Sequence, residues 1–160
     1  MGVGKTTIGR IVAEQLKLDF FDSDIEIEST TGADIPWIFD VEGEHGFRER
    51  ERKMIDHLSS KPNIVLATGG GAVLASESRI CLSGRGVVVY LHASISQQLE
   101  RTSRDKSRPL LQTNDRQGKI QSLMEIREPF YREIADFVID TETGNPKSIA
   151  TKIVKEIQSF

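Results

Sequence analysis

Gly2-Val3-Gly4-Lys5-Thr6-Thr7 places two glycines, a lysine and two hydroxyls directly ahead of a stretch with helical periodicity. Those residue types in that order match the second half of a phosphate-binding loop: a strand, then G-x-x-x-x-G-K-[ST], then a helix. The glycines let backbone N–H groups close on phosphate oxygens, the lysine reaches the terminal phosphates, and the hydroxyl ligates Mg²⁺. Gly4, Lys5 and Thr6 stand at the last three of those positions. The first glycine of the motif and the strand before it do not fall within the sequence. Such a strand is ordinarily central in its sheet. Burying four of its apolar side chains would contribute ~6–12 kcal/mol, against a total stability of ~5–15 kcal/mol. The chain is therefore expected to lie close to unfolding, with neighbouring strands short of hydrogen-bond partners, and its start to be internal to a longer protein.

Three charges stand where apolar residues would be expected. Phe47, Met54, Ile55 and Leu58 mark the inward stripe of a helix near 43–59. At 100° per residue, Arg48 points within about 20° of Ile55, and Glu51 within about 20° of Leu58. An Arg–Glu pair on a solvated face is one reading; a cleft-facing arginine held by a glutamate fits the direction better. Arg127 sits amid the stripe Ile120, Leu123, Met124, Tyr131 and Ile134 of a helix near 119–134, which carries Pro129. A buried guanidinium needs an anion, either an internal carboxylate or one on a ligand. Asp22 and Asp24 follow a short strand and read either as a helix cap or as acidic groups of a site. Gly69-Gly70-Gly71 reads as a plain turn or as a place of close backbone approach. Residues 101–108 hold four bases and one acid, and read as a solvated loop or a mobile lid over phosphates. His45, His57 and His92 lack metal-ligand spacing.

The elements that must hold these residues alternate. Short apolar runs at Asp19–Phe21, Ile64–Ala67, Val87–Leu91 and Phe137–Ile139 read as strands covered on both faces, as in a parallel sheet. Helical periodicity fills the gaps near 5–17, 43–59, 95–104 and 119–134. A last helix starts at Asn145 as N-cap with Pro146 in its first turn, and buries Ile149, Ile153 and Ile157. This alternation predicts an α/β layer fold, in which ligands bind at the carboxyl ends of strands. Asp22, Asp24 and Gly69–Gly71 fall at such ends.

Composition bounds the rest. One hundred and sixty residues make one domain, 1–160. Twenty-one Lys+Arg against 24 Asp+Glu give a net charge of −3, which argues against a general nucleic-acid binder. One cysteine, Cys81, excludes an internal disulfide framework. No apolar run is long enough to span a bilayer and no leader segment is visible, so a cytoplasmic location is expected.

With those residues in place the chain resembles the shikimate kinases, in the nucleoside-monophosphate-kinase-like branch of P-loop enzymes. The likeness runs over nearly all residues. It rests on Gly-Lys-Thr-Thr at 4–7, Asp22-Ser23-Asp24, Gly32-Ala33-Asp34, Gly43-Glu44-x-Gly46-Phe47-Arg48-x-x-Glu51 and Gly69-Gly70-Gly71. Further on come Arg108-Pro109-Leu110-Leu111, Arg127-x-Pro129-x-Tyr131 and Asn145-Pro146. The resemblance implies a three-layer α/β/α fold with a parallel sheet, less the leading P-loop strand. It also implies substrate-binding helices about 24–60 and a lid about 104–118. The implied reaction is transfer of the ATP γ-phosphoryl group to the 3-hydroxyl of shikimate, with Mg²⁺. Gly2, Val3, Gly4, Lys5, Thr6 and Thr7 would hold the phosphates, Thr6 the metal, and Asp22 the metal through water. Asp24 would be the general base. Arg48 and Arg127 would clamp the substrate carboxylate, Glu51 would orient Arg48, and Gly69, Gly70 and Gly71 would admit the substrate against backbone N–H groups. Arg108 would swing onto the transferred group and order only with ligands bound. Arg101 and Pro146, beside Asn145, would sandwich the adenine. Trp37 and Phe39 would pack the small substrate-binding helices. A monomer without membrane or nucleic-acid partners is expected. The alternatives are a gluconate or nucleotide kinase of the same fold, and an inactive fragment.

Overall fold

The computed structural model describes residues 2–160. Four parallel-paired strands, β1 (Asp19–Asp22), β2 (Ile64–Ala67), β3 (Val89–His92) and β4 (Phe137–Asp140), alternate with seven helices. These are α1 (Lys5–Leu16), α2 (Ser23–Thr31), α3 (Ile35–Ser59), α4 (Ser76–Arg85), α5 (Ile95–Thr102), α6 (Arg116–Ile134) and α7 (Pro146–Ser159). Together they form the expected three-layer α/β/α arrangement.

The parallel sheet departs from expectation in one respect: it is two pairs. β1 pairs with β2 in register Asp19 to Ile64, and β3 with β4 in register Val89 to Phe137. Among the described residues no strand lies between β2 and β3. Instead Ile64–Ala67 and Val89–Leu91 border one cavity of about 540 Å³, closed by Ile8 and Val12 of α1, Ile153 and Ile157 of α7, and Met124 and Ile134 of α6. The edges of β2 and β3 turned to this cavity have no ladder partner among the described residues.

The core gathers on one side of the strands. Ile8 and Val12 pack with Ile139, Ile149, Ala150, Ile153 and Val154, and Val65, Val89 and Leu91 lean on the cluster. The stripes predicted for the first and last helices are thus buried against each other. A second cluster of Ile27, Ile38 and Phe47, with Phe39 and Met54 against it, ties α2 to α3.

Caps explain several boundaries. Asp22 ends β1 and caps α2, Asp34 caps α3 through Trp37 N–H at 2.9 Å, and Asn145 caps α7 through Ser148 N–H at 2.9 Å. The helix predicted near 43–59 is the second half of α3, which breaks at Gly43 (φ 72°, ψ 176°), a backbone state open to glycine.

Three expectations are corrected, and the lid range runs into a helix. The third strand begins at Val89 rather than Val87: Val88 N–H donates to the Asp136 carboxylate at 2.7 Å, so the chain is tied to a side chain before the ladder starts. α4 has no counterpart among the predicted helices, since it buries only Ser78 and leaves Ile80 exposed. The lid range 104–118 overlaps α6, which starts at Arg116 with Asp115 as its cap. Trp37 is 55% exposed rather than packed, while Phe39 does meet Phe47 at 4.9 Å between ring centroids.

Candidate active site

The phosphate-loop half is built by backbone conformation. Gly2 and Gly4 adopt φ of 68° and 87°, and α1 starts at Lys5 with no side-chain cap, so its first N–H groups stay free for an anion. Val3 anchors the turn by burial. Thr6 donates its hydroxyl to Asp22 Oδ2 at 2.7 Å, across from the end of β1. Asp22 Oδ1 accepts from Asp24 N–H at 3.0 Å. The cap reading of Asp22 holds: one oxygen caps α2, while the other accepts from the loop hydroxyl.

Asp24 lies beyond that cap. Burial, and then the neighbouring Asp22 charge, push its carboxyl above the ordinary range, against the pull of Lys5, Arg108 and Arg48. Burial, and then Arg108, hold Lys5 below the ordinary lysine range, with Asp24 and Asp22 opposing. Lys5, Asp22, Asp24 and Arg108 therefore share one electrostatic neighbourhood. Arg108 is fixed here by its Nε, which donates to Asp105 Oδ2 at 2.7 Å. Its partner therefore lies inside its own loop, three residues earlier.

The glycine triplet follows β2. None of Gly69, Gly70 and Gly71 has a positive φ, so here the need is for space. A methyl at Gly69 would stand 2.5 Å from Glu51 Oε1 and 2.8 Å from Asp24 Oδ1. One at Gly70 would stand 3.2 Å from both Arg127 Nη1 and the Tyr131 hydroxyl, and one at Gly71 would collide with the Arg48 guanidinium. The triplet is thus the floor on which the charged side chains rest. Buried Ser23 holds it by accepting from Gly69 N–H at 3.2 Å.

Two arginines converge on this floor. Arg48 donates to Glu51 Oε2 at 2.6 Å and to Glu44 at 3.2 Å. Glu51 is 2% exposed, and its Oε1 has no hydrogen-bond partner. Burial raises the Glu51 carboxyl above its ordinary range while the ion pair pulls it down. Arg127 is 3% exposed, and among the described residues no carboxylate reaches ion-pair distance of it. Its guanidinium bonds the Tyr131 hydroxyl, its Nε has no partner, and burial lowers its pKa. Of the two anions the sequence left open for Arg127, the internal carboxylate is not present.

On the nucleotide side, Arg101 donates to Gly2 O at 3.4 Å and to Thr141 O at 3.0 Å, joining α5 to the phosphate loop and to the segment after β4. Asn145 and Pro146 follow Thr141 at the start of α7. Sequence reasoning missed Ser23, the Tyr131 hydroxyl and Asp105 as members of the site. Tyr131 stood on an apolar stripe and in the Arg127-x-Pro129-x-Tyr131 signature without a role, and Ser23 only as the residue between two aspartates.

A phosphate loop at a helix start, an acidic strand end across from it and a basic loop above define a P-loop phosphotransferase. Beside these stand two arginines on the glycine floor, Arg48 paired with Glu51 and Arg127 buried. The shikimate kinase family model matches residues 1–158, and the chain belongs to that family. The shikimate kinase of Legionella pneumophila (strain Corby) is 57% identical over 155 residues, covering 97% of this chain and 89% of the relative. That of Psychromonas ingrahamii is 56% identical over 154 residues, covering 96% of this chain and 90% of the relative. The solved structure of Acinetobacter baumannii shikimate kinase in complex with shikimate superposes with a TM-score of 0.97 at 51% identity, covering 99% of this chain and 89% of that one. A gluconokinase from Sinorhizobium meliloti shares the fold alone, with a TM-score of 0.59 at 16% identity over 99% of this chain and 91% of that one.

Proposed function

We propose that this chain transfers the γ-phosphoryl group of ATP to the 3-hydroxyl of shikimate, giving ADP and shikimate 3-phosphate on the route to chorismate and the aromatic amino acids. The observation that carries this reading is Arg127: a buried guanidinium with no carboxylate of its own, facing the same glycine floor as Arg48. A substrate carboxylate placed there would accept from two planar forks. Its ring would then lie along Gly69–Gly71, with hydroxyls turned to Asp24.

The steps follow from where the charges stand. Asp24, as the general base, takes the proton of the attacking hydroxyl, which needs the carboxylate form. Lys5, the N–H groups from Gly2 to Thr7 and the incoming Arg108 carry the negative charge on the phosphoryl oxygens. Thr6 Oγ1 and Asp22 Oδ2, 2.7 Å apart at the loop mouth, are a hard-oxygen pair of the kind that suits Mg²⁺. Thr6 would hold the ion directly and Asp22 through water, and the bound ion would neutralise phosphate charge. Among the described residues no cluster of three or more acidic, histidine or cysteine side chains could hold a metal, which agrees with an ion that takes most of its ligands from phosphate and water. Glu51 fixes Arg48, and Arg101 and Pro146, next to Asn145, bracket the adenine. In this reading the chain is one domain, with substrate-binding helices within about 24–60 and a lid within about 104–118. It acts as a cytoplasmic monomer on a small molecule, without nucleic-acid or membrane partners. The net charge of −3 supports the first of those exclusions. Among the described residues no helix is long and apolar enough to cross a membrane.

The test is ADP release with ATP and Mg²⁺, with and without shikimate, and with gluconate as competitor substrate. Shikimate-dependent turnover is expected. Turnover on gluconate with none on shikimate overturns the reading.

A further inference from the structure

We infer that Tyr131 is a positioning residue: its single hydroxyl locks the Arg127 guanidinium onto the glycine floor and so sets the geometry of the substrate-carboxylate clamp. The inference rests on the proposed role of Arg127.

Four observations support it. The Tyr131 hydroxyl is bonded to Arg127, one helical turn before it on α6. The same hydroxyl donates to Gly70 O. It therefore accepts from the arginine and donates to the floor, using one donor and one acceptor site of a phenol. The ring cannot swing away, because it stacks on Tyr90 of β3, with centroids 4.9 Å apart and planes 30° apart. Finally, a methyl placed on Gly70 would stand 3.2 Å from both Arg127 Nη1 and the Tyr131 oxygen, so arginine and tyrosine converge over the same glycine.

The consequence is a division of labour between the two arginines. Arg48 is held by two carboxylates, Glu51 and Glu44. Arg127 is held by a neutral phenol, which fixes its direction without neutralising its charge. Burial keeps that phenol neutral by pushing its pKa up, so it remains a donor to Gly70. Pairing Arg127 with a carboxylate would have consumed the charge a substrate needs. The hydroxyl orients the fork and leaves it free to bind.

The experiment compares wild type, Tyr131→Phe and Tyr90→Phe. Tyr131→Phe keeps the ring and the stack and removes only the hydroxyl. Tyr90→Phe removes a neighbouring buried hydroxyl that has no partner. Shikimate affinity is read by calorimetric titration, and KM for each substrate and kcat by ADP release. For Tyr131→Phe, the shikimate Kd and KM are expected to rise about tenfold, the size of one hydrogen bond to a charged group. Its ATP KM and kcat are expected to stay within about twofold, and Tyr90→Phe to match wild type throughout. Wild-type shikimate affinity in Tyr131→Phe overturns the inference, as does an equal rise in both KM values, which would mark a general structural role. Failure of wild type itself to bind shikimate overturns the proposed function and this inference with it.

Discussion

At the scale of single residues, Arg127 and Asp24 divide binding from chemistry. Arg127→Ala removes one fork of the clamp and none of the phosphate contacts. The shikimate KM is expected to rise by ~10–100-fold, the value of a lost charge-assisted interaction, with the ATP KM nearly unchanged; equal losses for both ligands would contradict the assignment. Asp24→Asn removes the base, and kcat is expected to fall by ~10²–10⁴. The same substitution should raise the melting temperature. A carboxyl whose folded pKa is raised binds its proton more tightly when folded, so its ionised form penalises the folded state at all pH values above that range. Removing the charge removes the penalty at neutral pH. For the same reason the acidic limb of kcat/KM should lie above the ordinary carboxylate range of about 4. A wild-type limb at or below that range, or an Asp24→Asn chain that melts earlier, would overturn the placement of Asp24. The arginines and Asp24 were legible in the sequence because charge on an apolar stripe, or at a strand end, breaks a pattern. Tyr131 and Ser23 were not, since a tyrosine on a stripe and a serine before a helix break none. Only the three-dimensional meeting at Gly69 and Gly70 gives them a task.

Among the elements, position follows from caps and breaks more than from propensity. α3 buries Ile38 and Phe47 in one cluster and carries Arg48 next to Phe47 and Glu51 about one turn further on. Its start is fixed by Asp34 and its direction changes at Gly43. Asp34→Ala should cost about 1 kcal/mol of stability, a fall in melting temperature of roughly 2–4 °C for a chain of this length. kcat at saturating substrate should not change. A calorimetric melt beside a turnover assay checks this, and a large loss of kcat would mean that α3 positions the site through its first turn. The helix near 43–59 was legible because its stripe is long and regular. α4 was not, because it leaves Ile80 exposed and buries only a serine. The start of α6 was not legible for a related reason: residues 112–118 are polar whether they loop or begin a helix, and the Asp115 cap that decides the matter lies inside that polar run.

For the whole molecule, alternation of strand and helix was enough to give the layer fold, while the number of separate ladders was not readable from runs of apolar residues. Each short run announces a strand without saying which runs pair. The two-pair arrangement then places the site astride a division. β1 and β2 end in Asp22 and the glycine floor, whereas β3 and β4 lead to α5, Arg101 and Thr141. α1, packed on α7 and carrying Lys5 and Thr6, reaches both sides.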